Sequence, residues 1–60
     1  MDKMAKLKFY ASKPYFSTLT RQYYPEYDAA FQDSRRHGGG AEVDFNIYYV
    51  HSDRTAEIVF

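Results

Sequence analysis

His37 and His51 are the only histidines in this 60-residue chain and the side chains best suited to proton transfer or metal binding. Neither stands in a His-x-x-x-His or His-Glu-x-x-His spacing, which would aim two ligands from one helical face at a zinc ion. Both fall where elements are predicted to end, so the ordinary reading is a solvated imidazole. His51, Ser52 and Asp53 bring together the residue types of a nucleophilic triad, but adjacent residues of a tight turn cannot take the nucleophile, base and orienter geometry. They read as a turn. A metal-dependent hydrolase would need His37, His51 and Asp53 to converge through the fold; the spacing gives no support for it, and neither a catalytic residue, a metal nor another cofactor is expected.

Two further groups invite chemistry. Glu42 and Asp44 lie two apart on a predicted strand and so share a face, where paired carboxylates can hold a cation. The ordinary reading is the solvated side of a sheet or the charged blunting of an exposed edge. Gly38-Gly39-Gly40 follows Arg35-Arg36-His37 and suggests a phosphate cradle. Phosphate loops, however, lead into a helix N-terminus, where amides converge and the dipole is positive. Here the glycines follow a helix, which makes them a cap and a turn.

The elements that must carry these residues follow from periodicity. Residues 5 to 11 alternate, with Ala5, Leu7, Phe9 and Ala11 on one side and Lys6, Lys8 and Tyr10 on the other, which predicts a strand. Val43, Phe45, Ile47 and Tyr49 predict a second, and Ala56, Ile58 and Phe60 a third. A turn centred on Ser52-Asp53 sets Tyr49 opposite Ala56, Ile47 opposite Ile58 and Phe45 opposite Phe60. Residues 41 to 44 then run past their hairpin partner and offer a free edge to a second copy. Tyr27, Ala30 and Phe31 mark a helix over 25–37, with Pro25 in its first turn, acidic residues near its start and Arg35, Arg36 and His37 near its end. Residues 13 to 24 fit a kinked helix or an irregular turn, with a short extra strand at 15 to 20 as the alternative. The expected fold is α+β: a single βαββ domain over 1–60, its three-stranded, mostly antiparallel sheet in the order 1-3-2 with one face under the helix.

Composition narrows the function. Eight Lys and Arg balance eight Asp and Glu, so the basic excess of a dedicated nucleic-acid binder is missing. There is no Cys, hence no disulfide or thiolate chemistry, and no apolar run long enough for a membrane span or a secretion signal. A cytoplasmic protein is the expectation. Seven Tyr and five Phe outnumber the seven Leu, Ile and Val, so rings must build the core. Buried hydroxyls need partners, so several Tyr are expected at the surface, where aromatic side chains commonly anchor protein partners.

A small, cysteine-free, tyrosine-rich chain without catalytic motifs resembles in profile the phage-encoded inhibitors, anti-CRISPR proteins among them, that mask a surface of a host machine. The resemblance covers no motif. The expected function is a non-enzymatic protein-binding module, with contacts from Tyr10, Tyr15, Tyr23, Tyr24 and Tyr48, from Arg35 and Arg36, and from Glu42 and Asp44, whose acidic groups can imitate phosphates. The alternative is a single-strand nucleic-acid binder that stacks bases on Tyr10 and Tyr48.

Overall fold

The computed structural model describes residues 7–41 and 43–60. Their elements run β1 (Tyr15–Ser17), β2 (Tyr23–Tyr24), α1 (Tyr27–Arg36), β3 (Ile47–Val50) and β4 (Ala56–Ile58), and the strands form one four-stranded sheet in the order β2-β1-β3-β4. Every strand pairing is antiparallel. The α+β class is as expected, but the sheet has one more strand and a different order.

The helix forms where Tyr27, Ala30, Phe31 and Ser34 fall on one stripe, with Ala30 and Ser34 fully buried. Asp28 lies in its first turn and Arg35 and Arg36 in its last, as the helix dipole favours. Pro25 sits outside, before the N-cap Glu26, not in the first turn. At the other end Gly39 N–H donates to the Ser34 carbonyl and Gly38 N–H to that of Arg35, with Gly38 at φ +96°. This is the Schellman arrangement, in which a left-handed residue closes the last carbonyls. The glycine triplet is therefore a helix stop.

Of the segment predicted as the first strand, residues 7 to 11 do not join the sheet. Its positions 5 and 6 lie outside the described residues. Over 7 to 10 the expected alternation survives as exposure, with Leu7 and Phe9 half-buried and Lys8 and Tyr10 exposed, but no ladder forms. A turn closed by Lys13 N–H on the Tyr10 carbonyl follows, and the place beside β3 goes to Tyr15–Ser17. Those residues fit better because Ser17 meets a polar partner beneath the sheet and Tyr15 meets Tyr49 across it. The short extra strand, the alternative reading of 15 to 20, is what the chain adopts.

The β3–β4 hairpin exists, but its register differs by one residue from the expectation. Tyr48 faces Ile58, Tyr49 faces Glu57 and Val50 faces Ala56. The loop explains the shift. His51 N–H bonds to the Thr55 carbonyl, Arg54 N–H to the His51 carbonyl, and Arg54 takes φ +73°, so the turn holds Ser52, Asp53 and Arg54 instead of a tight pair. Asp53 Oδ1 accepts from both N–H and Oγ1 of Thr55 and fixes the loop. Farther along, Val59 N–H and Phe60 N–H both donate to the Ile47 carbonyl, which is a β-bulge. Side chains two apart on a strand share a face, so an unbroken strand would send Phe60 out with Ile58; the bulge returns it inward to Phe31 and Phe45.

Residues 43 to 46 belong to no strand, so the expected second strand begins only at Ile47. Val43 instead makes an isolated parallel bridge to Gly39 and accepts from Gly40 N–H. The free edge expected at 41 to 44 is thus not an extended strand, and Glu42 lies outside the described residues. The core is Ala30, Phe45 and Ile47, with Tyr15, Leu19, Tyr24 and Phe31 packed around it. Rings do replace aliphatic mass, linked from Tyr49 through Tyr15, Tyr27 and Phe31 to Phe60 and Phe45.

Candidate functional site

The alternation of strand side chains divides the tyrosines. Tyr15, Ser17, Tyr24, Ile47, Tyr49 and Glu57 share the helix side, by the observed registers. Phe16, Tyr23, Tyr48, Val50, Ala56 and Ile58 share the opposite side, and no helix covers them among the described residues. Tyr10 joins this outer face, its ring edge-on to Tyr23 at 4.8 Å, while Phe16 meets the other flank of Tyr23 at 4.8 Å. The Tyr23 hydroxyl accepts from Lys8 N–H, which ties the leading segment to the sheet.

Of the residues expected to contact a partner, the structure gathers Tyr10, Tyr23 and Tyr48 on this outer face. An open groove of about 380 Å³ lies at its end, lined by Tyr10, Ser12, Lys13, Gln22 and Tyr23. Tyr15 and Tyr24 are on the helix side. Tyr15 is part of the interior ring chain, and the Tyr24 hydroxyl donates to Asp33 Oδ2 at 2.6 Å while accepting from Thr20 Oγ1 at 2.6 Å. Burial, and after it the hydrogen bond to Asp33, raise the Tyr24 hydroxyl above its ordinary value. These two tyrosines are occupied structurally.

The charged candidates are scattered. The Arg35 guanidinium lies 5.7 Å from the Phe31 ring centre, and Arg36 Nε stands 3.9 Å from Asp33 Oδ1 in an exposed pair of small energetic weight. Asp44 is exposed between Val43 and Phe45. Glu57 stands opposite Tyr49 and so on the helix side, with its Oε2 3.3 Å from His51 Nε2. His37 keeps its own carboxylate, Asp33, at 3.8 Å. Each histidine thus stands beside a different acid, and among the described residues no group of three His, Cys, Asp or Glu side chains is placed to share a metal ion. Hydrogen bonds from Thr55, its hydroxyl foremost, hold the Asp53 carboxyl below the ordinary aspartate value; this is turn chemistry.

Neither residue type nor spacing marks Phe16, Ile58, Ser12, Lys13 or Gln22 as contact residues. A tight turn at Ser52-Asp53 would set Ile58 opposite Ile47, on the helix side; the three-residue loop with its left-handed Arg54 sets it opposite Tyr48 and turns it outward, where it is 58% exposed. No helix among the described residues is long and apolar enough to cross a membrane. No known family, curated protein or solved structure matches the chain.

Proposed function

We propose that the chain is a non-enzymatic protein-binding module that occupies a partner's surface through the outer sheet face. The observation that carries this reading is the two-sidedness of the sheet: the helix takes one face, and on the other, where Val50 is buried, Phe16, Tyr23 and Tyr48 are half-buried and Tyr10 and Ile58 are exposed, with no helix over them among the described residues. Tyr10 and Ile58 expose much of their apolar surface. Rings and an aliphatic on a rigid ladder lose little entropy on contact, and Tyr is a frequent anchor of protein interfaces. A phage-type inhibitor that masks a host protein would work this way.

A second reading, single-strand nucleic-acid binding, draws on one specific arrangement. Lys13 lines the groove beside Tyr10 and Tyr23, and Glu57 stands on the far side of the sheet, away from any phosphate bound there. Base stacking on such rings contributes about 1–3 kcal/mol per base. One comparison separates the readings. Capture of partners from a lysate with the intact protein and with Tyr23→Ala and Tyr48→Ala is expected to give a stoichiometric protein that the substitutions release. Failure of any protein to bind, together with oligonucleotide binding that weakens as salt rises, would replace the first reading by the second.

A further inference from the structure

We infer that β4 is a docking edge, which takes up an extended segment of a protein partner carrying a basic residue opposite Glu57 and apolar residues opposite Ala56 and Ile58. The inference rests on the protein-binding reading and names the chemistry of the partner.

The hydrogen-bond pattern makes the edge. His51 bonds to Thr55 and Val59 to Ile47, so the backbone groups of alternate residues point toward β3. Those of Ala56 and Ile58, in between, point away. Among the described residues β4 has a strand on one side only. Ala56, Glu57 and Ile58 include neither the proline nor the lysine that often protects an edge, and the strand is three residues long and ends at the Val59–Phe60 bulge, so an added segment is confined to the groups of Ala56 and Ile58. A strand added here would find two donors and two acceptors in register.

The side chains specify the occupant. Ile58, 58% exposed, continues the outer face beyond Tyr48 and offers an apolar contact to a neighbouring strand. Glu57 projects to the opposite side and keeps most of its surface in water, with His51 at 3.3 Å. Cross-strand pairs reward opposite charge and penalise like charge. A second copy of this chain is therefore a poor occupant: the antiparallel self-pairing that uses both outward residues sets Ala56 against Ile58 and Glu57 against Glu57. A segment alternating apolar and basic residues matches both faces.

Two capped octapeptides test this on the full chain, one alternating Lys and Val and one alternating Glu and Val. Backbone amide spectra and hydrogen exchange are expected to show the Lys/Val peptide protecting the Ala56 and Ile58 amides. Glu57→Lys is expected to move the preference to the Glu/Val peptide, by up to about fivefold per charge pair. Ala56→Pro removes an outward donor that has no partner among the described residues, a position where proline is tolerated, and is expected to abolish protection. The inference is overturned if the Ala56 and Ile58 amides are unmoved by either peptide, if both peptides bind equally well before and after Glu57→Lys, or if sedimentation shows the edge closed by a second copy. Its failure is distinct from that of the broader reading. A partner released by Tyr23→Ala but indifferent to Ala56→Pro and Glu57→Lys would leave the outer face intact and remove the edge.

Discussion

Gly39 lies so close to Phe45 that a Cβ on the glycine would stand 2.6 Å from the ring. The Ser34 carbonyl closes the other side at 2.8 Å, so the helix stop and the core are built at one point. Gly39→Ala forces either the ring or the helix terminus to move, and overpacking of this kind costs about 1–3 kcal/mol. Gly38→Ala meets open space but must hold φ +96°, which costs about 1–2 kcal/mol. Urea denaturation of the two variants is expected to show both destabilised, with near-ultraviolet or aromatic NMR signals of Phe45 disturbed only by the first.

Ser17 and Ser34 form a buried hydroxyl pair at 2.6 Å between the sheet and the helix. Ser17 Oγ also accepts from the N–H groups of Leu19 and Thr20, which leaves its proton for Ser34. Ser34→Ala strands that proton and is expected to cost about 1–3 kcal/mol. Ser17→Ala removes more partners and is expected to cost at least as much. The double variant is expected to lose less than the sum, and a double-mutant cycle by denaturation reads the difference.

Tyr24 gives the fold an alkaline limit. Its hydroxyl is held above the ordinary value of 10.0, first by burial and then by Asp33, so the neutral form is the one the fold favours. That contribution is fully present below the unfolded value and is lost as pH rises through the folded one. Tyrosinate absorbance is expected to show one ring ionising later than the exposed tyrosines. Tyr24→Phe is expected to be less stable than the intact chain at neutral pH and to lose less stability between neutral and strongly alkaline pH.

Both hairpins turn on an arginine in the left-handed region, Arg21 at φ +61° and Arg54 at φ +73°. Glycine adopts this conformation without the Cβ penalty. Arg54→Gly is expected to raise stability, by about 0.5–1 kcal/mol once the entropy of the more flexible unfolded chain is subtracted. A higher denaturation midpoint with an unchanged slope checks it.

These arginines also explain what could be read in advance. The helix was legible because Tyr27, Ala30 and Phe31, the terminal charges and Gly38 all pointed to one element. The β3–β4 hairpin was legible as a pair of alternating runs, but its register depended on a loop whose left-handed residue is Arg54, a type that carries no turn signal. The same holds at Arg21, where Thr18 to Gln22 contain neither Gly, Pro nor Asn to announce a turn between β1 and β2. Those strands span only Tyr15–Ser17 and Tyr23–Tyr24, too short for a period to show. Tyr10, Tyr23 and Tyr48 could be named from residue type alone. Their separation from Tyr15 and Tyr24 could not, because the face each side chain takes follows from pairings between strands distant in sequence.

The two margins of the sheet are unequal. Beyond β2, which is two residues long, the chain runs into Pro25, a residue with no N–H to give. Among the described residues the far margin therefore offers no ledge matching β4 on which a further molecule could repeat the contact. Growth by strand addition would stop after one step, so a complex formed there is expected to be a closed pair of one chain with one partner, and not the first link of a fibre.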